Sequence, residues 1–177
     1  MKKKILVVVD MQNDFIDGSL GTQEAKSIVE NVCKKITDNE WDNIYVTMDT
    51  HYDDYSFTQE GIKLPVVHCL CESDGWDINN DVTKALKASG VKYIEFEKET
   101  FGCMELISRL LHNLGEEVEL TLVGVCTDIC VVSNALLLKS YYPEFDIIVD
   151  SNCCAGTTVE NHEAALKVMK SCLIDIV

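Results

Sequence analysis

Short apolar runs alternate along the chain with longer stretches whose apolar positions recur at helical spacing. Runs at 4–9, 44–48, 92–96, 118–124 and 145–149 have strand length, and 173–177 reads as a sixth. Between the first two, residues 23–37 carry Ile28, Val32 and Ile36 on one helical face. Further helices are predicted at 81–88, closed by Gly90 as a C-cap, at about 103–113, and at 158–171. Thr127 or Asp128 is placed to cap another helix, running to about Ser140. The run at 118–124 is almost unbroken in its apolarity, as a strand buried on both faces must be. Residues 50–79 are polar and irregular, too long for an ordinary connector, and loops of that length in a compact domain are usually functional.

This alternation predicts a three-layer α/β/α fold, doubly wound around a central, mostly parallel six-stranded sheet. No internal repeat, low-complexity tract or linker interrupts it, so residues 1–177 read as a single domain. The net charge of −15, from 15 basic and 30 acidic residues, argues against nucleic-acid binding. No apolar run approaches the roughly 20 residues of a membrane span. The start, Met1-Lys2-Lys3-Lys4 and then Ile5 to Val9, imitates a signal peptide but stops on Asp10 without a small-residue cleavage site, and reads as a first strand behind a solvated basic tip. Nine cysteines, an odd number lying mostly in apolar segments, fit a reducing cytoplasm without disulfides. Neither Cys69-x-Cys71 nor Cys153-Cys154 has the spacing of a structural zinc site, and most of the nine read as small buried hydrophobes.

Three of the strand-like runs stop on or near reactive side chains: Asp10 after the first, Lys98 after the third, and Cys130 a few residues beyond the fourth. In parallel strands these ends meet at the carboxyl edge of the sheet, where open α/β folds bind ligands. An acid, an amine and a thiol there are the parts of a nucleophilic-cysteine enzyme. Each residue also has a plainer reading: a buried core thiol, a turn aspartate, a solvated surface lysine. Placement in the first turn of a helix would favour the Cys130 thiolate, through the positive end of the dipole and unsatisfied N–H groups. The stretch Asp10-Met11-Gln12-Asn13-Asp14-Phe15 suits a pocket wall better than a plain turn.

Asp-x-Gln-x-Asp-Phe at 10–15, Lys98 after a strand, and Gly-Val-x-Thr-Asp-x-Cys-Val at 124–131 together resemble the isochorismatase-like cysteine hydrolases, and within them the nicotinamidases and pyrazinamidases most. The resemblance spans nearly the whole chain. It implies a catalytic triad of Asp10, Lys98 and Cys130, and a cis peptide at Val125–Cys126 that aims the N–H groups of Cys126 and Cys130 at a substrate carbonyl oxygen. It implies a metal site of Asp49, His51 and His68, with Glu60 as a further ligand, because Tyr55 stands where many members have a histidine. One carboxylate and two imidazoles suit zinc, iron or manganese. Phe15 would pack on the substrate ring, Trp76 falls after His68 rather than before it, and His112 and His162 need no special role. The activity implied is hydrolysis of nicotinamide to nicotinate and ammonia through a thioester, in a cytoplasmic homo-oligomer serving pyridine-nucleotide salvage. The alternatives are an amidase for a different amide or a carbamoyl or ureido compound, and a redox-sensing thiol protein on the same fold.

Overall fold

The computed structural model describes residues 2–38 and 40–177. Six strands form one sheet: β1 (Lys3–Val9), β2 (Asn43–Asp49), β3 (Tyr93–Lys98), β4 (Val118–Val125), β5 (Asp146–Ala155) and β6 (Asp175–Ile176). Their order is β3-β2-β1-β4-β5-β6 and every pairing is parallel, so the sheet is wholly rather than mostly parallel. The chain builds outward from β1 in one direction, then returns to β4 and builds in the other, which puts the topological switch point between β1 and β4.

Ile5, Leu6, Val7, Val8 and Val9 are all fully buried, because helices cover both faces of the sheet. On one face, Leu6, Val8 and Val46 pack against α2 (Gln23–Thr37) and α4 (Asn80–Ala88). On the other, Ile5, Val7, Leu120 and Leu122 pack against α5 (Met104–Leu110), α6 (Val132–Tyr141) and α7 (Val159–Ser171). Helix α2 buries Ile28, Val32 and Ile36, the expected stripe, and starts on Thr22, whose hydroxyl accepts from Ala25 N. Gly90 follows α4 at φ +70°, the left-handed position glycine favours after a helix. Of the nine cysteines, all free thiols, five are buried, three half-buried and one exposed.

Several boundaries differ from the sequence expectation. Strand β3 runs on to Lys98, so the lysine ends the strand instead of following it. Strand β5 continues past Val149, where the apolar run stops, through Asp150-Ser151-Asn152 by way of a bulge: Leu122 pairs with Val149, then Gly124 with Cys154. Gly124 lies at φ +121°, and a Cβ there would overlap the carbonyl of Val9. The long polar stretch is ordered by two short helical pieces, a 3-10 turn at Tyr55–Phe57 and α3 (Gln59–Lys63); the short α1 (Asn13–Ile16) follows β1. Neither Thr127 nor Asp128 caps a helix. A π-type turn at Thr127–Val131 precedes α6, with Val131 N donating to Cys126 O. The side chains of both residues face α7 instead: Thr127 Oγ1 lies 2.8 Å from His162 Nδ1, and the Asp128 carboxylate accepts from Thr157 N and Oγ1.

Candidate active site

Strand register assembles the first half of the site. Val9 is level with Thr47 on β2 and Gly124 on β4, and Asp49 is level with Lys98, so the residues ending these strands gather at one edge. Lys98 Nζ lies 2.7 Å from Asp10 Oδ2, 3.2 Å from Asp49 Oδ1 and 3.6 Å from Cys130 Sγ. Asp10 is fully buried at φ +49°, with Oδ1 accepting from Thr47 Oγ1 at 2.6 Å. Lys98 meets Oδ2 as a close ion pair, and no other hydrogen-bond donor reaches that oxygen among the described residues. A buried carboxylate oxygen with free lone pairs is equipped to take a proton.

Burial pushes the Asp10 carboxyl above the usual aspartate range; Lys98 opposes this and Asp49 reinforces it. Burial likewise pushes the Cys130 thiol well up, with Asp10 adding to the rise and Lys98 opposing it. The thiol is therefore the resting form, not the thiolate expected from a helix terminus, because burial and a neighbouring carboxylate outweigh the dipole. Burial disfavours the Lys98 ammonium, but Asp10, Cys130 and Asp49 overcome that and hold its pKa well above the ordinary value.

The π-type turn presents Cys130. Cys126 O accepts from Ile129 N and Val131 N, on either side of Cys130, whose own N–H makes no such bond. The Val125–Cys126 peptide is cis. Asn134, fully buried one turn further on, donates to Cys130 O at 2.8 Å and Phe101 O at 3.1 Å and accepts from Cys103 N at 2.8 Å, tying the turn to the loop after β3. An amide on an otherwise apolar helical face, four residues after the thiol, was its sequence signal. His162, with no role expected from sequence, faces the same turn through Thr127.

The second half of the site adjoins the first through Asp49. Its Oδ2 lies 3.0 Å from His51 Nε2 and 3.5 Å from His68 Nε2, while Oδ1 faces Lys98. Glu60 Oε1 lies 3.8 Å from both imidazole nitrogens. Burial works against the Asp49 charge, but hydrogen bonds to His51 and His68 and the charge of Lys98 hold its pKa below the usual range. One ligating atom from each of Asp49, His51, Glu60 and His68 falls within 4.8 Å of the others. His68 Nδ1 is 2.8 Å from Val66 O, and Nε2 faces the carboxylate oxygens: protonated it donates to Asp49, and in the neutral ring that donates from Nδ1 it presents a lone pair to a metal. Two carboxylates with two imidazoles form a donor set that fits a divalent transition metal.

Tyr55 is buried with its ring centroid 4.6 Å from His51 and 5.2 Å from His68, and its hydroxyl donates to Leu64 O, away from the cluster. Thr58 caps α3, accepting from Gly61 N, and so sets Glu60 in the first turn. Phe15 lies against His68, ring centroids 5.5 Å apart. Trp76 donates from Nε1 to Thr50 Oγ1, bracing the segment after β2.

Fold and side chains together define the class as a hydrolase. The chain belongs to the isochorismatase family: the Isochorismatase domain model matches residues 4–177. It is similar to the nicotinamidase/pyrazinamidase of Mycobacterium tuberculosis, at 25% identity over 98% of each chain. Among solved structures it resembles nicotinamidase/pyrazinamidase PncA from Bacillus subtilis, with a TM-score of 0.83 and 26% identity over 99% of both chains. It also resembles the pyrazinamidase of Pyrococcus horikoshii in complex with zinc, with a TM-score of 0.75 and 27% identity over 99% of this chain and 98% of that one.

Proposed function

We propose that this protein is a metal-dependent amidohydrolase that converts nicotinamide to nicotinate and ammonia through a Cys130 thioester. The observation that carries this reading is Asp49, one oxygen toward Lys98 and the other toward His51 and His68. A thiol centre and a candidate metal cluster thus share a residue. Nicotinamide offers a ring nitrogen to one and a carboxamide to the other. The similarity to a pyrazinamidase known with zinc supports the metal, with iron and manganese equally suited to the donor set.

Asp10 Oδ2 takes the proton of Cys130 as the sulfur attacks the carboxamide carbon, and the Lys98 ammonium offsets the negative charge in a buried setting. The N–H groups of Cys126 and Cys130 receive the oxyanion. Collapse breaks the C–N bond, and Asp10 returns its proton to the departing ammonia. Asp10 then takes a proton from water, which attacks the thioester carbon; the C–S bond breaks, Asp10 returns the proton to the sulfur, and nicotinate leaves with its acid proton passing to ammonia or solvent. Asp49, His51, Glu60 and His68 would hold the metal, which would supply Lewis acidity to the ring nitrogen and to water. Phe15 bounds the ring beside His68.

The test is ammonia release from nicotinamide, pyrazinamide, and carbamoyl and ureido compounds, before and after treatment with chelator. Nicotinamide turnover that is lost with chelator and restored by metal is the expected result. Preference for a carbamoyl compound would reassign the substrate. Cys130→Ala should cut turnover by roughly four orders of magnitude or more with the fold retained, and surviving turnover would remove the thioester.

A further inference from the structure

We propose that Gln12 and Asp14 are positioning residues for the metal site, so that alternate residues of one short segment serve the two halves: Asp10 the chemistry, Gln12 and Asp14 the ligands. This rests on reading Asp49, His51, Glu60 and His68 as metal ligands. Strand β1 ends at Val9, level with Thr47, and the chain turns away at Asp10, which leaves the last residue of β2, Asp49, beyond the last β1 pairing. Gln12 fills that gap. Fully buried, it accepts from Asp49 N at 2.7 Å and donates to Asp49 O at 2.8 Å, as a neighbouring strand would, and donates also to Trp76 O. Both backbone groups of a ligand are therefore held by one side-chain amide.

Asp14 does the same for the histidines. Its Oδ2 accepts from Cys69 N at 2.8 Å and its Oδ1 from Ser19 N at 3.1 Å. Cys69 directly follows His68 and sits at φ +45°, outside the range most residues favour. Its carbonyl accepts from His51 N, and His51 O accepts from Cys71 N. One carboxylate thus anchors the backbone that carries His68 and, through Cys69 O, the backbone that carries His51. The carboxylate lies in a cradle walled by glycines: a Cβ on Gly18 or Gly75 would overlap it. Asp14 N also donates to Gly75 O. Partners that orient metal ligands in this way typically change metal affinity by about 10–100-fold when removed.

The experiment measures Zn2+ and Mn2+ affinity of the full chain by chelator competition without substrate, with circular dichroism to follow the fold and peptide-level alkylation to follow Cys130. Asp14→Ala and Gln12→Leu should each weaken metal binding by about 10–100-fold, and Asp14→Ala, whose partners lie on the histidine side alone, should leave the Cys130 alkylation rate unchanged. Asp14→Asn should lose less, because its remaining oxygen can still accept from Cys69 N. This milder variant decides the matter if Asp14→Ala fails to fold. Wild-type metal affinity in the folded variants would overturn the proposal. Failure of the unaltered chain to bind metal would overturn the metal reading itself, and this inference with it.

Discussion

The two halves of the site are built by different means. Asp10 and Lys98 are fixed by the register of adjacent parallel strands, and Cys130 by the turn that leaves β4. His51, Glu60 and His68 lie on an irregular segment with little backbone ladder, held by side-chain bonds from Asp14 and Thr58, by Tyr55 and by the Cys69–His51 backbone pairing. A ladder spreads its constraint over many bonds, whereas a side-chain clamp concentrates it in one or two. The thiol half should therefore withstand single changes in its surroundings and fail abruptly when a charge is removed. The metal half should decline by degrees.

The largest expected effect is at Lys98, where the halves meet. Lys98→Met keeps the length of the side chain and removes its charge, leaving Asp10 and Asp49 buried beside each other without their shared cation. Turnover should vanish, a result that also separates a hydrolase from a thiol sensor able to tolerate the change. Stability at neutral pH should fall by about 3–5 kcal/mol, the usual cost of stranding a buried charge. The sign of its pH dependence follows from Asp10. A carboxyl whose folded-state pKa lies above its unfolded value costs stability when ionised, and burial already raises Asp10 with Lys98 present. In the variant the rise is greater, so urea unfolding should show stability recovering as pH falls through the folded-state pKa. A variant as stable as the wild type at every pH would contradict the paired geometry.

The same contrast explains what could be read in advance. Strand ends are legible, since an apolar run that stops on Asp10 or Asp49 announces both the strand and the edge where its last side chain arrives. Helix α2 was legible for the same reason: a stripe at fixed spacing depends on nothing distant. Thr47, Gln12, Asp14 and Asn134 were not legible in these roles, because each acquires its partner only when distant segments pack. Gln12 reaches Asp49, Asp14 reaches Cys69, and Asn134 reaches Cys103. In sequence Gln12 and Asp14 read only as parts of a polar stretch suited to a pocket wall, Thr47 as a strand position and Asn134 as a position within a helix. The extension of β5 was hidden likewise, since Asp150-Ser151-Asn152 has turn composition and only pairing with β4 draws it into the sheet. The resting thiol at Cys130 reversed a local argument for the same reason: the dipole is local, while burial and Asp10 come from the whole fold.

A smaller effect within the thiol half is expected at Thr47. Its hydroxyl donates to Asp10 Oδ1 and opposes the burial that raises that carboxyl. Asp10 must be ionised to accept the Cys130 proton, so kcat/KM should fall as pH drops through the Asp10 pKa, which lies above the ordinary aspartate range. Thr47→Val keeps the shape and removes the donor. The acid limb of the kcat/KM profile should move up, with the plateau less affected. A limb that stays in place would mean that another group controls it.

The smallest effect separates the two candidates for the last position in the metal half. Tyr55 stands where a further histidine ligand would be, yet its hydroxyl bonds to Leu64 O and its ring lies against both imidazoles; Glu60 offers the oxygen instead. Burial pushes the Tyr55 hydroxyl up to about 12, so it remains protonated and a poor ligand at neutral pH. Tyr55→Phe removes one partly buried hydrogen bond and should cost about 1 kcal/mol in thermal or urea unfolding. Metal affinity should be unchanged, because the ring that packs the imidazoles remains. Glu60→Ala should do the opposite, leaving stability nearly intact on a half-exposed helix while chelator competition shows a clear loss of metal. If the phenylalanine variant lost the metal and the alanine variant kept it, the ligand would be the tyrosine oxygen. The segment would then have to rearrange around the metal, which is the behaviour expected of a loop-built site and not of a strand-built one.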